Sequence, residues 1–252
     1  MDEIDLLPEE MAREVTALAR RAAKVNGPMM RALNALGGKA EAWFAGLPAP
    51  ARAAFDAGSR QILTGLYTGA GQARGHLPDA GAWGHKLAAA ASGAAGGSVG
   101  LVSAMVELPA TVMVMFGAMQ KAAAEAGYDP DSTEVRMICL DIFGSGAPGP
   151  GDDGVNSTFL GARLSLNSAT LNAVLARVLP AFSAMLGKTL AAKAVPILGA
   201  MAGAGINYAF TDYYQEIARV RFGVMRLVKD HGEERVHRAF RAEMARLVTG
   251  EG

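Results

Sequence analysis

The sequence predicts an all-α protein, built as a single multi-helix bundle. Hydrophobic residues make up 51% of the 252 residues, but aromatic residues only 6%. The apolar content is therefore mainly Ala, Leu, Val and Met, and this mixture favours helices. Apolar residues recur every three or four positions in several segments, whereas no segment alternates apolar and polar residues as a strand would. We therefore expect one helical domain over residues 1–252.

Amphipathic helices are predicted at both ends of the chain. The first covers Pro8 to Val25, with Pro8 in its first turn, and segments 29–44 and 52–67 are typical of two more. Glycines and a proline predict a loose segment from Gly65 to Gly84. Near the other end, two apolar rows predict two helices: Ile217, Val220, Val224 and Leu227 line one, and Val236, Phe240, Met244 and Leu247 line the other.

Two glycine-rich apolar blocks occupy the centre of the chain. The first, Leu87 to Met119, contains one charged residue, Glu107, which Leu108 and Pro109 follow directly. We expect it to form two helices that meet at the Gly93–Gly97 cluster or bend at Pro109. The second comprises Leu160 to Lys193, with a predicted break at Pro180, and the glycine-spaced segment from Pro196 to Tyr208.

A turn and a loop separate these blocks. Residues 128–131 (Tyr-Asp-Pro-Asp) predict a turn, and Asp131 or Ser132 is suited to cap a helix over 135–143. Residues 144–154 are so rich in glycine and proline that we expect a mobile surface loop.

Composition excludes several classes of function. Because the formal net charge is zero, a nucleic-acid binder that neutralises phosphates is disfavoured. The single cysteine, Cys139, excludes an intrachain disulfide, and we expect it to be buried. The four histidines (His76, His85, His231 and His237) form no metal-binding spacing, and we expect His231 and His237 to be solvated. We expect no metal and no cofactor. The acidic N-terminus does not have the pattern of a signal peptide, so we expect a cytoplasmic protein.

Three segments in order resemble the bacterial EcsC family. Gly96-Gly97 and Glu107-Leu108-Pro109 resemble its Gly-Gly and acidic-Leu-Pro positions. The segment from Gly127 to Arg136 resembles its "YGYDPDDPEER" segment. The segment from Ala194 to Tyr208, with Gly199, Gly203 and Asn207, is similar to its "PxxGAxxGAxxNY" signature. The spacing agrees as well, and together they span roughly residues 85 to 225.

The resemblance implies a setting near membranes but no reaction, because the family lacks an established activity. Its founding member is similar to a product encoded beside an ABC transporter. This chain has Glu107 where the family more often has Asp, and its 144–154 segment is unusually rich in glycine.

The estimated free energy of insertion disfavours a simple membrane span in the first apolar block. Residues 99–118 hold eight Leu, Ile, Val or Phe residues, which together contribute roughly −4 kcal/mol to insertion. The central acid at Glu107 costs about 3 kcal/mol, which leaves insertion marginal. A helical bundle that presents apolar helices to a bilayer fits better. Residues 154–211 contain basic but no acidic residues, which suits an anionic leaflet.

The candidate ligand or membrane-contacting residues are Glu107, Pro109, Gly96, Gly97, Gly199 and Gly203. Glu107 has two interpretations: a partly buried carboxylate that backbone donors satisfy near Pro109, or a polar contact to a ligand within an apolar groove. We interpret Tyr128, Asp129, Asp131, Asn207 and Tyr208 as structural anchors.

These patterns favour a non-catalytic protein that binds lipid or an anionic membrane surface, peripherally on the inner face of the membrane. A first alternative is a hydrolase that uses Ser98, which stands in a G-x-S-x-G pattern, or carboxylates near Glu107. A second is an adaptor for a membrane protein complex. The sequence names no catalytic residue and leaves the oligomeric state open.

Overall fold

The computed structural model describes residues 8–25, 46, 48–74, 101–144, 171–193 and 199–249. Helices account for nearly all of these residues, and no strand occurs among them, which confirms the predicted all-α bundle. The helices are α1 (Glu9–Lys24), α2 (Ala49–Arg74), α3 (Leu101–Glu125), α4 (Thr133–Gly144), α5 (Leu171–Lys193), α6 (Gly199–His231) and α7 (Glu233–Thr249). The predicted helix over 29–44 and nearly all of the 144–154 loop lie outside the described residues, and the single-domain prediction stays a prediction.

Helix α6 forms the centre of the bundle. It is 33 residues long, and between Asn207 and Val228 only Arg226 is exposed. Its most extensive packing is against α3, and α1, α4, α5 and α7 also contact it. Because a helix that is apolar on most sides is stable only when neighbours cover it, the other helices are arranged around α6.

The terminal helices bury the apolar rows that the sequence predicted. In α1, Met11, Val15 and Ala22 are buried, whereas Leu18 is only partly buried. The predicted rows of α6 (Ile217, Val220, Val224 and Leu227) and of α7 (Val236, Phe240 and Met244) are also buried, and Leu247 packs against their edge. Glu9 and Glu10 occupy the first turn of α1, where carboxylates stabilise the positive end of the helix.

Two predicted breaks are wrong, because continuous helices run through them. Helix α5 continues through Pro180, and α2 continues past Tyr67 to Arg74, into the segment predicted to be loose. The Gly199 segment and the first predicted C-terminal helix form one continuous helix, α6. Pro180 has no N–H to bond the carbonyl of Ala176, and both residues are exposed. Tertiary packing therefore outweighs the local preference at these positions.

Phe143 joins four helices in the core. From α4, its ring lies 6.3 Å from Phe116 of α3, 5.3 Å from Phe182 of α5 and 4.9 Å from Tyr214 of α6, measured between centroids. The last two pairs are edge-to-face, which is a favoured arrangement of aromatic rings.

A carboxylate clamp lies beside this aromatic group. The side chain of Asp141 in α4 is only 10% exposed, and its Oδ2 atom lies 2.8 Å from Nη1 of Arg221 in α6. Its other oxygen, Oδ1, accepts a hydrogen bond from Nη2 of Arg177 in α5. Because Arg221 is itself buried, loss of this carboxylate removes a counter-charge from a guanidinium in the interior, which is costly.

We predict that Asp141→Asn lowers the free energy of unfolding by about 3 kcal/mol, because Arg221 loses its buried counter-charge. The control is Glu234→Gln, which removes the exposed pair between Arg238 and Glu234 and should cost less than about 1 kcal/mol. Urea unfolding followed by circular dichroism measures both. Equal losses in the two variants would show that the clamp does not stabilise the bundle.

A second prediction concerns the close approach of α4 and α5. A Cβ atom on Gly144 would lie 2.8 Å from Cγ2 and 3.2 Å from Cα of Val178. Because a backbone atom cannot move aside cheaply, Gly144→Ala should lower the free energy of unfolding by about 1–3 kcal/mol. Gly58 in α2 has nothing within 4 Å of such a Cβ, so Gly58→Ala should raise it by about 0.5–1 kcal/mol. Urea midpoints that move in the same direction would contradict this interpretation.

Candidate functional site

Helices α3 and α6 run parallel, and this fixes where their apolar N-terminal segments lie. Nδ2 of Asn207 donates a hydrogen bond to Oγ1 of Thr111 at 3.3 Å. Further along both helices, Nε of Arg219 donates to Oε2 of Glu125 at 3.1 Å. Residue numbers therefore rise together, and the two N-terminal segments lie at the same end of the bundle.

Helix α5 runs antiparallel to α6. Asp141 bonds both Arg177 and Arg221, whereas the ring of Phe143 contacts both Phe182 and Tyr214. As numbers rise along α5 they fall along α6, so the C-terminal part of α5 extends towards the start of α6. Segments 101–113 of α3 and 199–211 of α6 contain one charged residue, Glu107. We call these two segments the charge-poor end.

Part of the charge-poor end is open to solvent. Pro109 and Ala110 are exposed, and Met113, one turn further, is a large hydrophobic side chain that is 43% exposed. Among the described residues, no helix has a stretch long and apolar enough to cross a membrane.

The predicted contact residues partly coincide with this end. Pro109 lies within α3, on the exposed surface, and as a proline it has no N–H to donate to the preceding turn. Glu107 belongs to the same helix and Gly199 and Gly203 to the first turns of α6, but the surroundings of these three residues lie outside what the structure describes. Gly96 and Gly97 lie outside the described residues. The ligand roles of all six stay predictions.

Helix α1 carries exposed basic side chains in the turns that point towards the same end. Helix α1 runs antiparallel to α6, because Arg21 bonds Glu216 at 2.6 Å and Glu14 bonds Arg226 at 2.7 Å. The C-terminal turns of α1 therefore point towards the charge-poor end. They carry Arg20 and Lys24, both exposed.

The segment from Tyr128 to Asp131 links α3 to α4. Gly127 has a φ of +85°, and the N–H of Tyr128 donates to the carbonyl of Ala123 at 3.0 Å, which closes the end of α3. Oδ1 of Asp129 accepts from the N–H of Asp131 at 2.9 Å. Ser132 is the cap of α4, since its Oγ accepts from the N–H of Val135 at 3.2 Å.

Two side chains of this segment also contact helices, one of them α6 and the other α4. The ring of Tyr128 lies 5.6 Å from the ring of Phe222. Asp131 lies 4.0 Å from the guanidinium of Arg136. These contacts tie the turn to α6 and α4, but what the segment does beyond that stays a prediction.

A buried polar row on α6 was missed by the sequence reasoning except for Asn207. Asn207, Thr211 and Gln215 are spaced by four residues and are fully buried. Oγ1 of Thr211 donates to the carbonyl of Asn207 at 2.8 Å. Tyr208 is only partly buried. The sequence did contain a signal for this row: three polar residues recur every fourth position within an apolar segment. Residues with that spacing lie on one face of a helix.

A charged network joins three helices further from the charge-poor end. Glu216 accepts hydrogen bonds from Arg21 of α1 at 2.6 Å and from Arg219 at 2.5 Å, and Arg219 also bonds Glu125 of α3. Burial acts to raise the pKa of Glu216, but the hydrogen bonds and charges of the two guanidinium groups outweigh it and lower the pKa. Glu216 is therefore ionised at neutral pH.

The other reactive groups do not form a site within the described ranges. Cys139 is buried as predicted, and burial raises the pKa of its thiol far above the usual range. The prediction that His237 is solvated is wrong: its side chain is only 14% exposed, with Nδ1 at 4.0 Å from Oε1 of Glu233. The described residues contain no group of His, Cys, Asp or Glu side chains suited to hold a metal ion.

The Glu216 network predicts a pH dependence of stability. Because the pKa of Glu216 is lower in the folded state than its ordinary value of 4.5, its contribution is fully present above about pH 4.5 and is lost as the pH falls through the folded-state pKa. The difference in unfolding free energy between wild type and Glu216→Gln should therefore be largest at neutral pH and shrink in acid. Urea titrations at a series of pH values measure it. A difference that grows on acidification would contradict the assignment.

Comparison with protein-family models matches residues 72–227 to the EcsC protein family. This stretch is more than half of the chain and extends from the end of α2 into α6. It contains all three segments that carry the resemblance in sequence. No curated protein and no solved structure matches the chain. On the strength of the family match, the chain belongs to the EcsC protein family.

Proposed function

We propose that this protein binds a lipid membrane surface through its charge-poor end, without catalysing a reaction. The parallel arrangement of α3 and α6 carries the proposal, because it collects apolar segments from distant parts of the chain at one end. Pro109, Ala110 and Met113 are exposed there. Apolar side chains without a protein neighbour are typical of surfaces that contact another molecule or a membrane.

Anionic lipids are the favoured target. Arg20 and Lys24 are exposed on the turns of α1 that point towards this end, and Lys188 and Lys193 belong to the last turns of α5. Each basic residue near an anionic surface contributes about 1 kcal/mol. Burial of one methionine side chain contributes about 1.5–3 kcal/mol. The sum is modest, so we expect reversible, salt-sensitive attachment on the inner face of the membrane.

The two alternative functions predict different partners. A serine hydrolase would use Ser98, which lies outside the described residues, and would lose all labelling by a fluorophosphonate probe in Ser98→Ala. An adaptor would copurify with a membrane protein but would not bind protein-free vesicles. Neither alternative draws support from a contact among the described residues, whereas the exposed charge-poor surface favours lipid.

Flotation with vesicles of phosphatidylcholine, with and without phosphatidylglycerol, tests the proposal. Wild type should float with the anionic vesicles at low salt, and less so at high salt. Ala110→Glu and Met113→Glu place a carboxylate on the exposed part of the charge-poor end and should reduce the bound fraction about tenfold or more. Circular dichroism checks that both variants keep their helices.

The matched control is Ala124→Glu, also at an exposed position of α3 but about 20 Å further along the helix axis. It adds the same charge away from the charge-poor end and should bind like wild type. Failure of wild type to float at low salt would reject the lipid proposal. Equal loss in all three variants would show that net charge, not the charge-poor end, determines binding.

A further inference from the structure

Gln215 is a buried amide without a protein partner in the described part of the chain. Both Nε2 and Oε1 are inaccessible to solvent and lack a hydrogen-bond partner, and the residue as a whole is fully buried. An amide can donate two hydrogen bonds and accept two, and leaving such a group dry in the interior costs free energy. The great majority of buried polar side chains are therefore bonded to protein or to ordered water.

The register of α3 against α6 shows where this amide lies. Asn207, Thr211, Gln215 and Arg219 form one row with a spacing of four, so they share a face of α6. Both ends of that row bond α3, through Thr111 and Glu125. Gln215 therefore lies in the seam between α3 and α6.

The opposing part of α3 presents small side chains and no hydroxyl, amide or charged group. Between Thr111 and Glu125, the row of α3 on the same face contains Met115, Ala118 and Ala122, all buried. Gln215 lies two thirds of the way along α6 from Asn207 to Arg219. The same fraction of the way from Thr111 to Glu125 on α3 lies between Ala118 and Ala122 of this row. Methyl groups cannot satisfy an amide, and they occupy less space than the larger apolar side chains of the core.

We infer that the seam holds at least one internal water molecule, bound by the amide of Gln215 beside the alanines of α3. A water molecule both donates and accepts, so it satisfies the oxygen and the nitrogen of the amide together. This site does not depend on the proposed lipid binding, because Gln215 lies deep in the bundle. Gln120 on α3 provides the contrast: its Nε2 donates to the carbonyl of Pro130 at 2.7 Å, so a protein group already accepts a hydrogen bond from that amide.

A high-resolution crystal structure of the wild-type protein tests the inference directly. Ordered solvent density is expected within about 3.2 Å of both Nε2 and Oε1 of Gln215. In Gln215→Met that density should be absent, while the rest of the core is unchanged. A wild-type structure with a dry amide would overturn the inference.

Unfolding measurements give an independent test. If water satisfies the amide, Gln215→Met gains nothing and the urea midpoint stays or falls. If the amide is dry, the same change removes an unpaired polar group, and the folding equilibrium constant rises by about fivefold or more, which would also overturn the inference. Gln120→Met is the control, and it should lower the midpoint because the carbonyl of Pro130 loses its donor, with no change in solvent density at Gln215.

Discussion

Helix α6 is covered by protein on almost every side between Asn207 and Val228. The hydrogen bonds and charges of its buried polar side chains therefore have to be satisfied inside the bundle. Its buried polar side chains cannot turn outwards to water, and two of them are bonded by side chains of neighbouring helices. Arg221 obtains one from Asp141 of α4, and Asn207 obtains one from Thr111 of α3. These bonds set the register of α6 against its neighbours, and apolar packing alone would specify that register less strictly.

The same register sorts charge along the bundle. Where α6 is uncharged, from Gly199 to Thr211, the parallel segment of α3 has a single charged residue, Glu107. Further along, Glu125, Arg219, Glu216 and Arg21 form a continuous ionic network. One end of the molecule is therefore suited to an apolar environment and the other to water, and this asymmetry underlies the proposed membrane contact.

Prolines and glycines show how tertiary structure overrides local preference. Pro109 and Pro180 both lie inside helices, at exposed positions. Burial of neighbouring residues, such as Phe182 beside Phe143, stabilises each helix by more than the roughly 3 kcal/mol that an internal proline costs. Gly144 is used differently: the lack of a side chain allows α4 to approach the backbone of α5 closely.

The sequence by itself determined the helical class, the apolar faces of α1 and α7, the turn after Gly127 and the family, because periodicity, capping residues and short motifs are local properties. It also drew attention to Pro109 and Asn207. Tertiary structure alone decided that α3 and α6 run parallel, that Asp141 joins two arginines, and that the amide of Gln215 is buried without a hydrogen-bond partner among the described residues. Those facts depend on contacts between residues far apart in the chain, and a sequence pattern does not encode which helix faces which.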